Sequence, residues 1–179
     1  MDNISVIIRN RNEERHIGYV IQSVLDNFEN AEIIIIDNNS TDNSLRIVNT
    51  FDFEDIKIYN IDSYTPGKSL NFGVSKCSND YILILSAHTE IVECHWGKIK
   101  RYLENHCVVG GRQIPIYKGK KIGRRYVWSN FIDNDAENYF SESENRYFLH
   151  NAFSFYKKEI LIKYPFPINK VFINLFLSK

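Results

Sequence analysis

Four short apolar runs, each stopped abruptly by polar residues, limit what this chain can become. Ile4 to Ile8 runs into Arg9-Asn10-Arg11-Asn12-Glu13-Glu14, and Glu32 to Ile36 into Asp37-Asn38-Asn39-Ser40-Thr41-Asp42. Ile56 to Ile61 leads to Tyr64-Thr65-Pro66-Gly67-Lys68-Ser69-Leu70-Asn71, and Tyr81 to Leu85 to Ser86-Ala87-His88-Thr89-Glu90. Runs this short and this rich in isoleucine and leucine fit strands buried on both faces. Because helical patterns separate them, the first half of the chain predicts a parallel sheet covered by helices on both sides.

In such a sheet, polar residues at the carboxyl ends of strands stand where open α/β folds bind ligands. Asp37 is thus a candidate to accept hydrogen bonds from a ligand; it equally suits a turn, bonding its own backbone. If the backbone stays extended beyond Leu85, then Ser86, His88 and Glu90 project to one side as a polar cluster. The plainer reading is a strand entering an ordinary polar loop.

The turn after the first strand holds no glycine, which disfavours a dinucleotide-binding fold. Asn10 or Asn12 can instead cap a helix with Glu13 and Glu14 in its first turn and an apolar stripe of Ile17, Val20, Ile21, Val24, Leu25 and Phe28. Ser40 or Thr41 can cap the next helix, continued by Leu45, Val48 and Phe51. Gly67-Lys68-Ser69 looks like the end of a phosphate loop, but Asp62 occupies the place of its leading glycine. There remains a helix start with Lys68 beside it, able to hold a phosphate weakly or simply exposed on the cap. His95 to Asn105 predicts a helix with Trp96, Ile99, Tyr102 and Leu103 inward. Cys107 to Val109 predicts a strand, followed by Gly110-Gly111-Arg112-Gln113, where Arg112 can fork onto an anion.

Beyond this the alternation weakens. Lys118, Lys120, Lys121, Arg124 and Arg125 crowd one segment, and Asp133, Asp135, Glu137, Glu142 and Glu144 follow. A solvated loop explains the basic run; contact with an anionic lipid headgroup or a diphosphate is the sharper alternative. With its recurrent aromatics the segment reads as a mobile acceptor-side loop. His150 to Phe155 returns to the core as a strand, Lys157 to Tyr164 forms a short helix stopped by Pro165, and Pro165 to Lys179 contains no acid and reads as an atypical tail.

With 179 residues and 44% hydrophobic content, the chain suits one domain burying roughly 70% of its unfolded surface. Its formal net charge of +0 argues against a nucleic-acid binder. Cys77, Cys94 and Cys107 have no paired spacing, so a reducing compartment and buried, inert thiols are expected. Neither a basic leader nor a span of ~20 apolar residues is present. These features suit a cytoplasmic protein with at most peripheral contact with the inner face of a membrane.

The Asn-Glu-Glu turn after the first strand, Asp37 to Asp42, Pro66 to Asn71 and Ser86-Ala87-His88, in this order and spacing, together resemble the family 2 glycosyltransferases of GT-A fold. The resemblance covers roughly residues 4 to 165. It implies a three-layer α/β/α sandwich with a mostly parallel, Rossmann-like central sheet. It further implies inverting transfer of a hexosyl or deoxyhexosyl group from a nucleotide-sugar donor to a saccharide or lipid-linked acceptor hydroxyl, as in bacterial surface polysaccharide or lipopolysaccharide synthesis. Residues 1–113 would form the donor half and 114–165 the acceptor side, with 166–179 the tail. Carried over, Asn10, Asn12, Glu13 and Asp37 seat the nucleoside, joined by Lys68, Ser86 and Arg112.

Two departures matter. Ser86-Ala87-His88 stands where most members carry Asp-x-Asp, a variant similar to a bacterial branch that later shows Gly-Arg-Gln, here Gly111-Arg112-Gln113. Two routes could neutralise the leaving diphosphate. In one, His88, with Glu90, holds a softer ion, Mn²⁺ rather than Mg²⁺; in the other, no metal takes part and Lys68 and Arg112 act as fixed cations. His88 can also be a neutral ring bonded near the core. The acidic pair that supplies the catalytic base lies beyond the strand matching Asn151 to Phe155, yet only Glu159 is acidic there. Asp133, Asp135 and Glu137 are the substitutes, and a truncated, inactive transferase that binds a nucleotide sugar or a partner protein is the rival reading. A nucleotidyltransferase would want glycine between Arg9 and Glu14.

Overall fold

A computed structural model describes residues 3–114, 116–121, 136–141, 145–147 and 151–168. In chain order the main elements are β1 (Ile4–Asn10), α1 (Ile17–Asn27), β2 (Glu32–Asp37), α2 (Ser44–Val48), β3 (Ile56–Asn60), α3 (Pro66–Lys76) and β4 (Tyr81–Ser86). They continue with α4 (Trp96–Asn105), β5 (Val108–Gly110), hairpin strands β6 (Ile116–Tyr117) and β7 (Lys120–Lys121), strands β8 (Phe140–Ser141) and β9 (Arg146–Tyr147), β10 (Phe153–Lys157) and α5 (Lys158–Lys163).

Six strands form one sheet in the order β3-β2-β1-β4-β10-β5. β1 to β4 run parallel, and β10 enters antiparallel between β4 and β5. The period of two shows why the runs are almost wholly apolar: alternate residues face opposite layers and both layers are covered. Ile4, Val6, Ile8, Ile33, Ile35, Leu83 and Leu85 pack with residues of α1, α2 and α4 on one face. Ile7, Ile34, Ile36, Ile82 and Ile84 pack with Leu70 and Val74 of α3 and Leu161 of α5 on the other. This is the expected three-layer sandwich with a mostly parallel sheet. Each buried isoleucine contributes about 1.5–3 kcal/mol before chain entropy is counted.

At the amino edge of the sheet, Glu32 ties four segments together. Its carboxylate accepts from Ser5 Oγ at 2.6 Å, Ser78 N at 2.7 Å and Lys57 Nζ at 2.8 Å. Burial alone would raise its pKa; the hydrogen bonds from Lys57, Ser5 and Ser78 outweigh this and hold it below the ordinary glutamate value.

Several local expectations are corrected. α1 starts at Ile17 behind His16, which makes no side-chain cap, so Asn10 and Asn12 do not cap it and Glu13 and Glu14 precede its first turn. Asn12, at φ 56, turns the chain there. Neither Ser40 nor Thr41 caps α2, whose cap residue is Asn43; Ser40 Oγ is committed to Asp37 and Asn10. Tyr102 is 38% exposed, because the inner stripe of α4 runs through Trp96, Ile99 and Leu103. Of the cysteines only Cys77 is buried, its thiol pushed up to about 12 by burial; Cys94 is half-buried and Cys107 exposed.

The first residues of the expected tail pack against the domain: Phe166 is 1% exposed and meets Tyr156 edge-on. Its backbone N–H donates to Asn71 Oδ1 and its carbonyl accepts from Asn71 Nδ2, both at 2.9 Å, and Thr65 Oγ1 donates to the Ile168 carbonyl. The strap passes so close to α3 that a Cβ on Gly67 would lie 1.9 Å from the Pro167 carbonyl oxygen. Residues 169–179 lie outside the described residues. Part of the expected basic loop is a hairpin, with Lys118 and Gly119 in the left-handed region at φ 48 and 73. Among the described residues no helix is long and apolar enough to cross a membrane.

Candidate functional site

The chain leaves β1 toward β2 and β3 and then returns to place β4 on the other side of β1. The carboxyl ends of β1 and β4 therefore flank the point where the strand order reverses, where such sheets form a crevice. A cleft of about 210 Å³ opens there, lined by Arg9, Asn10, Arg11, Glu13, Asn38, Tyr64, Ser86, Ala87 and His88. A larger cavity of about 390 Å³ lies between α1 and α2, around Tyr19, Ile47 and Phe51. It stands away from the strand ends, and we assign the chemistry to the smaller cleft.

Behind the cleft wall the loops after β1 and β2 are latched together. Asn10 Nδ2 donates to Asp37 Oδ1 at 2.8 Å and to Ser40 Oγ at 3.1 Å. Ser40 donates to Asp37 through Oγ at 2.6 Å and through its backbone N–H at 2.9 Å. Thr41 N donates to Asn12 Oδ1 at 2.7 Å, and Glu13 N to Ser44 Oγ at 2.8 Å. Asp42 accepts from Ser44 and from the Glu14 amide; slight desolvation pushes its pKa up, and these bonds bring it below the usual aspartate value. The network fixes the Asn10 amide so that Nδ2 faces the carboxylate. Its Oδ1 is left buried with no hydrogen-bond partner among the described residues.

Asn10, Glu13, Ser86 and His88 are thus the expected residues that line the cleft. Asp37 is 1% exposed and stands one layer behind, its carboxylate engaged as in the turn-forming reading. Asn12 faces the loop before α2. The extended path from Ser86 to Glu90 is not taken: Thr89 N donates to the Ser86 carbonyl in a turn, which leaves His88 at the cleft and Glu90 exposed outside it. Lys68 and Arg112 are exposed and do not line the cleft, and Lys68 Nζ donates to Ser63 Oγ at 3.1 Å. Glu137 lies 3.3 Å from His106 Nε2. Asp133, Asp135, Arg124, Arg125 and His150 fall outside the described residues.

Sequence reasoning missed Arg9, Arg11, Asn38 and Tyr64. Arg9 did leave a signal: it is a charged residue that directly follows the apolar run Val6 to Ile8 inside a strand.

His88 Nδ1 stands 3.3 Å from Glu13 Oε1. Among the described residues no group of three or more His, Cys, Asp or Glu side chains is placed to hold a metal ion. The cleft therefore offers a single imidazole and a single carboxylate, too few for an all-protein cage.

The family model for glycosyl transferase family 2 matches residues 5–165. The chain is 33% identical over 95 residues to a dolichyl N-acetyl-alpha-D-glucosaminyl phosphate 3-beta-D-2,3-diacetamido-2,3-dideoxy-beta-D-glucuronosyltransferase of Methanococcus voltae, covering 49% of this chain and 30% of that protein. It is 33% identical over 147 residues to an uncharacterized glycosyltransferase of Haemophilus influenzae, covering 74% of this chain and 45% of the relative. The chain spans about a third to a half of the length of these relatives.

Among solved structures, S. aureus TarS in complex with UDP superposes at TM-score 0.65 and 18% identity, covering 92% of this chain and 50% of that one. The mannosyltransferase PcManGT of Pyrobaculum calidifontis, in complex with GDP-Man and Mn²⁺, superposes at 0.66 and 14%, covering 93% and 48%. At these identities the likeness is one of fold.

Proposed function

The chain belongs to glycosyl transferase family 2, and from that premise we propose that it seats a nucleoside-diphosphate sugar in the cleft at the ends of β1 and β4. The sugar, a hexose or deoxyhexose, passes with inversion to the hydroxyl of a saccharide or lipid-linked acceptor, at the inner face of a bacterial membrane where surface polysaccharide is made. The observation that carries this reading is the cleft at the switch point of the sheet, where Asn10, Glu13, Ser86 and His88 come together at the strand ends. The UDP and GDP-mannose bound by TarS and PcManGT support it by analogy of fold.

In this reading Asp37, Ser40 and Asn12 hold the wall in shape, Asn10 and Glu13 meet the nucleoside, and Ser86 faces the diphosphate. Ser86-Ala87-His88 replaces the family's Asp-x-Asp, and His88 with Glu13 is the pair to hold a divalent ion. Their imidazole and carboxylate set favours Mn²⁺ over Mg²⁺. Bound there, the ion would supply charge for the diphosphate. Lys68 and Arg112 remain outer cations for a longer ligand. Residues 114–165 form the acceptor side, and the proton of the attacking hydroxyl goes to a carboxylate from Asp133, Asp135 or Glu137.

Thermal shift with the diphosphates of uridine, thymidine, guanosine and cytidine tests the site. At least one should stabilise the protein, by about 2.7 kcal/mol when present at 100 times its Kd; four flat curves would discard the reading. Addition of Mn²⁺ should tighten nucleotide binding in the wild type and not in His88→Ala.

The second reading is a transferase fold that binds the donor without turnover. Nucleotide binding without sugar transfer to any acceptor would select it.

A further inference from the structure

Arg9 has no role in the fold or in the assignments above. In β1 it alternates with Ile7, which belongs to the core under α3 and α5, yet Arg9 lies past the end of that core and lines the cleft. Its neighbour in register on β4 is Ser86. Nη1 donates to Tyr64 Oη across a long 3.4 Å, and Nε is buried with no hydrogen-bond partner among the described residues.

Ion pairs among those residues include Lys57 with Glu32, His88 with Glu13, His95 with Glu93 and His106 with Glu137. Arg9 is in none of them. Arg11 brings a second guanidinium to the same cleft, while Glu13, the one carboxylate in its lining, stands beside His88. A desolvated N–H without an acceptor is unfavourable and is explained when an acceptor arrives. Held by one long bond, the guanidinium can turn its donors toward an oxyanion in the cleft, and its planar fork suits paired oxygens.

We infer that Arg9 is the fixed cation that receives the diphosphate of the donor, with Tyr64 positioning its guanidinium. The inference rests on the nucleotide-sugar reading of the cleft and deepens it: the fixed-cation task expected of Lys68 and Arg112 falls to a strand residue at the cleft itself. When the bond from the sugar's anomeric carbon to the diphosphate oxygen breaks, its electron pair stays on that oxygen. Arg9 stabilises the charge gained there.

The test titrates the full chain, with a chelator present, with uridine, thymidine, guanosine and cytidine and with their diphosphates. For the base that binds, the wild type should prefer the diphosphate to the nucleoside. Arg9→Gln should shrink that preference about tenfold or more while leaving nucleoside affinity in place. Tyr64→Phe should shrink it less. An unchanged ratio in Arg9→Gln overturns the inference and leaves the cleft reading standing, whereas a wild type that binds none of the eight probes overturns both. Should Arg9→Gln fail to fold, Arg9→Lys decides, because it keeps the charge and loses the fork: a reduced ratio supports the inference and an undiminished one sinks it.

Discussion

Asn10 does its work through three atoms. Its carbonyl accepts the Asn38 amide, its Nδ2 holds Asp37 and Ser40, and its Oδ1 is buried without a partner among the described residues. Asn10→Ala removes one of the donors to a buried carboxylate, so it should cost about 1–3 kcal/mol. The measurement is a lower denaturant midpoint at an unchanged slope; an unchanged midpoint would show that the latch contributes nothing. Little of this was legible in the sequence. Asn10 and Ser40 are separated by 30 residues, and no local pattern says that an asparagine after a strand will reach across rather than cap the nearest helix.

The strap over α3 supports a prediction about elements. Asn71 offers Phe166 both a donor and an acceptor, as a neighbouring strand would, and Gly67 leaves the gap through which Pro167 passes. Gly67→Ala should displace the strap, since a Cβ 1.9 Å from a carbonyl oxygen cannot be absorbed by a rotamer change. Asn71→Ala should speed amide exchange at Phe166 with little effect in β1 or β2; equal protection in both proteins would contradict the clamp. The elements themselves were readable wherever period and length agreed: the stripe of α1 and the doubly buried runs of β1, β2 and β4 leave few alternatives. The strap was not readable, because an apolar segment without acids looks alike whether it packs or hangs free. The path after β4 misled for a similar reason: Ser86, His88 and Glu90 alternate on paper, but the backbone turns between the first and the last.

Across the whole sheet, the Glu32 cluster sets an acid limit. Its depressed pKa means that its contribution is present above the ordinary glutamate value of 4.5 and is lost as pH falls below that, through the folded value. The Lys57 partner is raised by its bond to Glu32 and by Glu32's charge, so its share persists at neutral pH and fades only above the ordinary lysine value of 10.5. Glu32→Gln should therefore melt lower than the wild type at pH 7, with the gap closing as the pH is taken toward 3. A gap constant from pH 7 to 3 would exclude the linkage. Fold class was the easiest property to read, since strands buried on both faces demand apolar residues at most positions, and two buried polar exceptions, Ser5 and Glu32, satisfy each other. The order of its strands was harder, because the position of β10 depends on contacts more than 60 residues apart.

That position has a consequence for how the chain is made. Among the described residues the neighbour of β5 in the six-stranded sheet is β10 alone, although β10 is synthesised more than 40 residues later. On a ribosome working from the amino end, β1 to β4 can zip up side by side as they emerge, while Val108 to Gly110 must wait outside. A strand made later is the keystone that lets an earlier one take its place.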